Sequence, residues 1–95
     1  MDDHAYGAAK TRLDVIDGVL DALGRIDEIN AVVRECADRV TAQKKLMTQP
    51  FGYPEFVTHH ILDLTVGRQT VQGVEALRQE QDKLADYLNG LKEAL

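Results

Sequence analysis

The sequence contains no tryptophan, two prolines, one cysteine and five aromatic residues in 95 positions. Each scarcity excludes something. With Cys36 alone, no internal disulfide can form. Residues Met1 to Lys10 carry no apolar stretch of the kind found in a secretory signal, and both facts point to a reducing cytoplasm. No window approaches the roughly 18 apolar residues of a membrane-spanning helix, so a soluble chain with no membrane partner is expected. Positive charge is nowhere concentrated: 16 acidic residues outweigh 11 basic ones, the formal charge is −5, and the densest basic feature is Lys44 beside Lys45. Phosphate backbones are held by clustered Lys and Arg that release counterions, so direct nucleic-acid binding is disfavoured.

What remains is aliphatic. Apolar residues make up 44% of the chain, and a core drawn from Leu, Val, Ile and Ala suits thin seams between helices. A chain of 95 residues has room for one domain, 1–95, with residues 1–9 expected to form a flexible N-terminus. A core this small buries a modest share of the surface and is often completed by oligomerisation, so a partner is expected on size alone.

From Lys10 onward, apolar residues fall at Leu13, Ile16, Leu20, Leu23, Ile26, Ile29, Val33, Cys36 and Val40, at spacings of three and four. That is the period of a helix with one buried face. Gly18 and Gly24 lie inside it, each costing up to about 1 kcal/mol relative to Ala. They either admit a close helix approach or sit on the surface. Asp38 is placed to N-cap a second helix running to about Met47. Thr48 to Tyr53 is a clear break, because Pro50 and Gly52 disfavour helix, and Pro54 then suits a first helical turn. Phe56, Ile61, Leu62 and Val66 predict a short helix from Glu55, although Phe56, Val57 and Thr58 are better strand formers.

The last segment carries the sharpest pattern. Val74, Leu77, Gln81, Leu84, Leu88, Leu91 and Leu95 alternate spacings of three and four over three heptads, which describes either a coiled-coil seam or an amphipathic helix docked on its own chain. Gln81 is a polar member of that seam, able to set register or to lie at its wet edge. The fold class that follows is all-α: an antiparallel, coiled-coil-like helical hairpin with short helices forming a small tip.

Few residues invite chemistry. His59 and Asp63 are four apart and share a helix face, with His60 alongside. A metal site needs a third protein ligand, which His4 or Cys36 would have to bring from a distant segment. A His59 to Asp63 ion pair, or solvated histidines at an intermolecular contact, is preferred. In the latter case pairing depends on pH between about 5 and 7. No metal and no cofactor is expected. Cys36 lies on the apolar stripe and reads as a small hydrophobe, with only Arg34 and Arg39 nearby to stabilise a thiolate.

The order of these features resembles one family. Arg12 to Arg34 is similar to the pattern of DNA gyrase and topoisomerase IV A subunits, with Gly18, Ala22, Leu23, Ile26, Asp27, Glu28 and Arg34 on matching positions. Ala42 and Leu46 fit the short helix that follows. Phe51, Gly52 and Glu55 fit a Phe-Gly-Leu-Ser-Glu stretch, and Ile61, Leu62, Asp63 and Leu64 an Ile-Leu-Asp-Leu segment. Thr70, Leu77, Glu80, Leu84 and Asp86 stay in register with the returning helix. The resemblance runs without a gap from Arg12 to about Leu88.

In that family this segment is the coiled-coil bottom gate, where a helical tip meets its symmetry mate and holds two A subunits together. The resemblance therefore implies a non-catalytic homodimerisation module, with the tip at Val40 to Val71. It also implies, through mixed dimers, a further partner in the A subunits of topoisomerases. DNA cleavage in the family uses a Tyr in a domain absent here, and Tyr6, Tyr53 and Tyr87 match no such context. The expected contact residues are Phe51, Tyr53, Phe56, His59, His60, Ile61 and Leu64 of the tip, with Leu77, Leu84, Leu88 and Leu91 of the seam. An ordinary monomer core is their rival role.

Several departures stand out. Gln69-Thr70-Val71-Gln72-Gly73 replaces Leu-Thr-Gly-Leu-Glu, so Thr70 keeps the capping position while Gly73 replaces the Glu of a capping box. The turn is altered, or a longer continuous helix replaces it. Pro54 stands for Ser, and His59-His60 for Gln-Ala. Met1-Asp2-Asp3-His4 does not continue the family's basic upstream helix, which suggests a free-standing relative. As an enzyme alternative, Leu23 to Leu46 with Arg25, Ile26, Asp27, Arg39 and Lys44 looks like the first helix of the helical chorismate mutases. Such a site needs several convergent cations, and the later Arg-Glu pair of that family is missing.

Overall fold

The computed structural model describes residues 3–64 and 66–94. The helical periods become α1 (Asp3–Leu23), α2 (Ile26–Arg34), α3 (Arg39–Met47), α4 (Glu55–Leu62) and α5 (Val71–Ala94), with a short 3-10 segment, Val66–Gln69, before α5. Among the described residues there is no strand, so the all-α expectation holds, including for Phe56-Val57-Thr58. Met1, Asp2 and Leu95 lie outside the described residues. Helix α1 begins at Asp3, within the stretch 1–9 expected to be a flexible end, and Ala9 on it is buried.

The long first helix expected from the periodicity is broken at Gly24–Arg25. Gly24 N donates to both Leu20 O and Asp21 O at 3.1 Å, and Arg25 leaves helical geometry at φ −135, ψ 33. Glycine is a poor helix former, and the apolar spacing runs through the break because both halves face one core: Ala22 and Ile29 are each buried. Helix α3 starts where Asp38 caps it. The Asp38 carboxylate accepts from Thr41 N at 2.8 Å, and that bond holds the carboxyl below its ordinary range.

The Thr48 to Pro54 segment turns through Gly52 at φ +65, with Phe51 N and Gly52 N both donating to Thr48 O. Pro54 occupies the N-cap of α4, one residue ahead of the expected first turn. Before α5, the Thr70 hydroxyl accepts from Gly73 N at 3.0 Å. Half of the family's capping box thus survives without its Glu, and the alternative of one longer continuous helix is not realised.

Helix α5 packs along α1. Leu77 and Leu88 are buried, and Val74, Gln81, Leu84 and Leu91 are half-buried, so the described seam positions turn inward. Arg12 of α1 grips Glu80 of α5 through two bonds, Nε to Oε2 at 2.8 Å and Nη2 to Oε1 at 3.0 Å. Gln81 donates to Asp17 at 2.6 Å, which places it at the seam's edge. The short helices gather at the later half of α1: one cluster joins Ile16 and Ala22 of α1, Ile29 of α2, Leu46 of α3, Val57 and Ile61 of α4, and Leu77 of α5. The molecule is elongated, 48 × 27 × 19 Å. Among the described residues no helix is long and apolar enough to cross a membrane.

Candidate interaction surface

The eleven expected contact residues divide into three groups. Tyr53, Ile61, Leu77 and Leu88 are buried within the chain itself. Phe51, Leu64, Leu84 and Leu91 are half-buried, and the first three pack against the core cluster. Phe56, His59 and His60 are exposed together on one face of α4, the Phe56 ring at 43%. To these the structure adds Met47 and Val40 of α3, exposed at 42% and 60%. Met47 was absent from the expected set. A helical reading of Arg39–Met47 contains the signal, because once Ala42 and Leu46 take the buried face, Val40 and Met47 must point outward.

Helices α3 and α4 are tied by rungs four residues apart. Arg39 Nη1 donates to Asp63 Oδ1 at 2.9 Å, and its Nη2 to the His59 carbonyl at 3.4 Å. Gln43 Nε2 donates to Thr58 Oγ1 at 3.1 Å and lies 3.1 Å from His59 Nε2. Thr58 is fully buried, and its hydroxyl donates to Glu55 O at 2.5 Å, so its polar group is satisfied. The His59 to Asp63 ion pair expected from sequence is not the pairing adopted: Asp63 is engaged by Arg39, and the His59 ring faces Gln43. A guanidinium, always charged and fork-shaped, is the stronger carboxylate partner. Val40 and Met47 of α3 and Phe56 of α4 are thus exposed on two helices that these rungs hold together.

The corner between α1 and α2 is pinned by the Thr48 to Pro54 segment. The Tyr53 hydroxyl donates to Asp21 Oδ2 at 2.5 Å, and burial together with this bond pushes its ionisation well above the usual phenol range. The guanidinium of Arg25 lies 4.6 Å over the Phe51 ring, which stacks on Tyr53 at 6.3 Å between centroids. Arg25 Nε is buried without a hydrogen-bond partner, 3.7 Å from Glu28. The ring contact and the two acidic neighbours, Asp21 and Glu28, offset part of that cost. Cys36 is half-buried, with Sγ donating to Val32 O at 3.3 Å.

Among the described residues, no three His, Cys, Asp or Glu side chains group as metal ligands. The cations invoked for the chorismate mutase alternative do not converge either. Arg25 is stacked on Phe51 and Arg39 is bound to Asp63, so neither is directed with Lys44 at a common cavity.

The described residues form an all-α fold around one inner cluster, with large apolar side chains left exposed on α3 and α4. Comparison with known proteins narrows this. The DNA gyrase A subunit of Campylobacter jejuni is 32% identical over 87 residues, covering 92% of this chain and 10% of that protein. The DNA topoisomerase 4 A subunit of Staphylococcus epidermidis is 26% identical over 87 residues, covering 92% and 11%. The DNA gyrase A subunit of Streptococcus pyogenes is 31% identical over the same length, covering 92% and 10%. No protein-family model matches the chain. The curated homologues of this chain are thus the A subunits of DNA gyrase and topoisomerase 4, and the chain spans about a tenth of their length.

Proposed function

We propose that this chain is a non-catalytic, cytoplasmic interaction module that pairs with a second copy of itself. The helices α2 to α4 make the contact, and α1 with α5 form an antiparallel, coiled-coil-like stalk behind it. The observation that carries this reading is the 87-residue likeness to topoisomerase A subunits, whose resembling segment is the bottom gate that joins two such chains. The exposure of Val40, Met47 and Phe56 on α3 and α4 supports it, since large apolar side chains left at a surface are what a partner covers. His59 and His60 share the exposed face of α4 with Phe56, while Phe51, Leu64, Tyr53, Ile61, Leu77 and Leu88 act by holding the fold behind it.

The same likeness makes the topoisomerase A chain the natural second partner, through mixed dimers that occupy its gate. Light scattering across a dilution series tests the primary reading: a mass near twice 10.6 kDa is expected, and a monodisperse monomer at every concentration overturns it. Pull-down with gyrase A and a supercoiling assay test the mixed pairing, which fails if the chain neither binds nor alters the reaction.

A further inference from the structure

Helix α2 is the least anchored element around the core. Of its nine residues only Ile29 is buried, whereas α3, of the same length, buries Ala42 and Leu46, and the shorter α4 buries Val57, Thr58 and Ile61. Among the described residues, no hydrogen bond or ion pair from a side chain of Ile26–Arg34 reaches another helix; Glu28 faces Arg25 at 3.7 Å within the same corner. Arg25, at the N-cap, supplies no side-chain bond to α2. Helix α3, by contrast, is capped by Asp38 and tied to α4 through Arg39 and Gln43.

Space also lies along two flanks of α2. A cleft of about 450 Å³ separates Val32 and Cys36 from Thr41 and Lys45 of α3, and a cavity of about 90 Å³ lies between Ile26 and Ile29 of α2 and Ile61 and Leu64. Well-packed interiors leave few voids larger than a water molecule, so Ile29 is buried without the full set of close neighbours that burial usually brings. Both ends of α2 are turns. Arg25 leaves helical geometry at φ −135, ψ 33, and residues 35–38, which lead to α3, are not helical. At the first of these turns Arg25 Nε is buried without a hydrogen-bond partner, a cost that water relieves once the corner opens.

We infer that α2 is a strap that opens from the core as a unit, hinged at Gly24–Arg25 and at residues 35–38, while α1, α3, α4 and α5 stay packed. Local openings draw on segments with few buried contacts and leave better-packed elements intact. A helix of nine residues is marginal on its own, so α2 unwinds as Ile29 leaves the core. Its departure joins the cleft to the smaller cavity and uncovers Ile61 between α3 and α1. The remaining anchors do not depend on α2: Arg39 to Asp63 and Gln43 to Thr58 hold α3 to α4, and Tyr53 to Asp21 holds the loop to α1. The opening does not require self-pairing.

Native-state amide hydrogen exchange of the whole chain, followed through sub-denaturing urea, tests the strap. The amides of Ile29 to Arg34 should exchange at least about thirtyfold faster than the slowest amides of α1 and α5, with less than about half their urea dependence. Ile29→Val trims the side chain that opening removes from the core, and should speed α2 exchange about fivefold. Gly18→Ala disturbs the contact with Val57, which the open state keeps. It should leave α2 exchange within about twofold while speeding the slowest amides of α1 and α5. Amides of α2 that share the rate and urea dependence of α1 and α5 overturn the strap, and so does α2 exchange that ignores Ile29→Val or rises with Gly18→Ala as much as the rest. Should Gly18→Ala fail to fold, the wild-type urea dependence and Ile29→Val decide in the same two directions.

Discussion

Gly18 of α1 and Val57 of α4 touch so closely that a Cβ on the glycine would lie 2.4 Å from Val57 Cγ1. Val57 is 1% exposed and β-branched, so its methyl cannot rotate away cheaply. Gly18→Ala should gain up to about 1 kcal/mol of helix propensity and lose about 1–3 kcal/mol to overpacking. Net destabilisation is expected in urea unfolding. Gly7 and Gly90, whose added Cβ would meet nothing within 4 Å, provide the contrast. Gly7→Ala and Gly90→Ala should each raise stability by about 0.5–1 kcal/mol. If Gly18→Ala behaves as they do, α1 and α4 do not approach as described.

The Tyr53 to Asp21 bond connects a loop to a helix 32 residues earlier in the chain. Tyr53→Phe keeps the ring stack and removes the bond, at an expected cost of about 1 kcal/mol. The pH dependence has a fixed sign. Ionisation of Tyr53 is raised in the folded chain, so the contribution is complete below the ordinary phenol value of 10.0 and is lost as pH rises through the folded value. The stability gap between wild type and Tyr53→Phe should therefore be flat up to about pH 10 and narrow above it. A gap that narrows near neutrality would contradict the assignment.

Asp38 titrates in the opposite direction. Its carboxyl is held below the ordinary value by the bond from Thr41 N, so its contribution is present above that value and lost as pH falls through the lowered one. Asp38→Ala should lower the thermal midpoint by a few degrees at pH 7, and the difference from wild type should shrink below about pH 4. Asp38→Asn, a comparable cap without a charge, should recover most of the loss at neutral pH and show little of the acid dependence.

Local signals were legible wherever the physics is local. Asp38 as a cap, the break at Pro50 and Gly52, Thr70 at the start of α5 and the inward seam of α5 can all be read within a turn or two of sequence. The break at Gly24 cannot, because Leu20, Leu23, Ile26 and Ile29 keep their spacing across it while the pinning groups, Phe51 and Tyr53, lie far along the chain. Asp63 shows the same limit: its helical neighbour His59 is four residues away, but its partner Arg39 is 24 away. Likewise, periodicity marks Tyr53, Ile61, Leu77 and Leu88 as apolar-face residues without saying whether that face meets the chain itself or a partner. The seam helix answers for Leu77 and Leu88, since α1 already covers it.

That division separates two acidic substitutions within α4. Phe56 is 43% exposed and Ile61 is 4% exposed, although both are apolar residues of one short helix. Ile61→Asp places a carboxylate in the cluster shared by all five helices, where an unpaired buried charge costs on the order of 3–5 kcal/mol; loss of the folded state is expected. Phe56→Asp leaves that cluster untouched and, as a surface change, should alter monomer stability by within about 0.5 kcal/mol. At a self-paired surface the same carboxylate is desolvated in both copies, so association should weaken by at least about a hundredfold. Circular dichroism melts beside light scattering distinguish the cases. A folded Phe56→Asp monomer is the expected result. An unfolded one would return Phe56 to the monomer's core, and a folded dimer of undiminished affinity would move the contact away from α4.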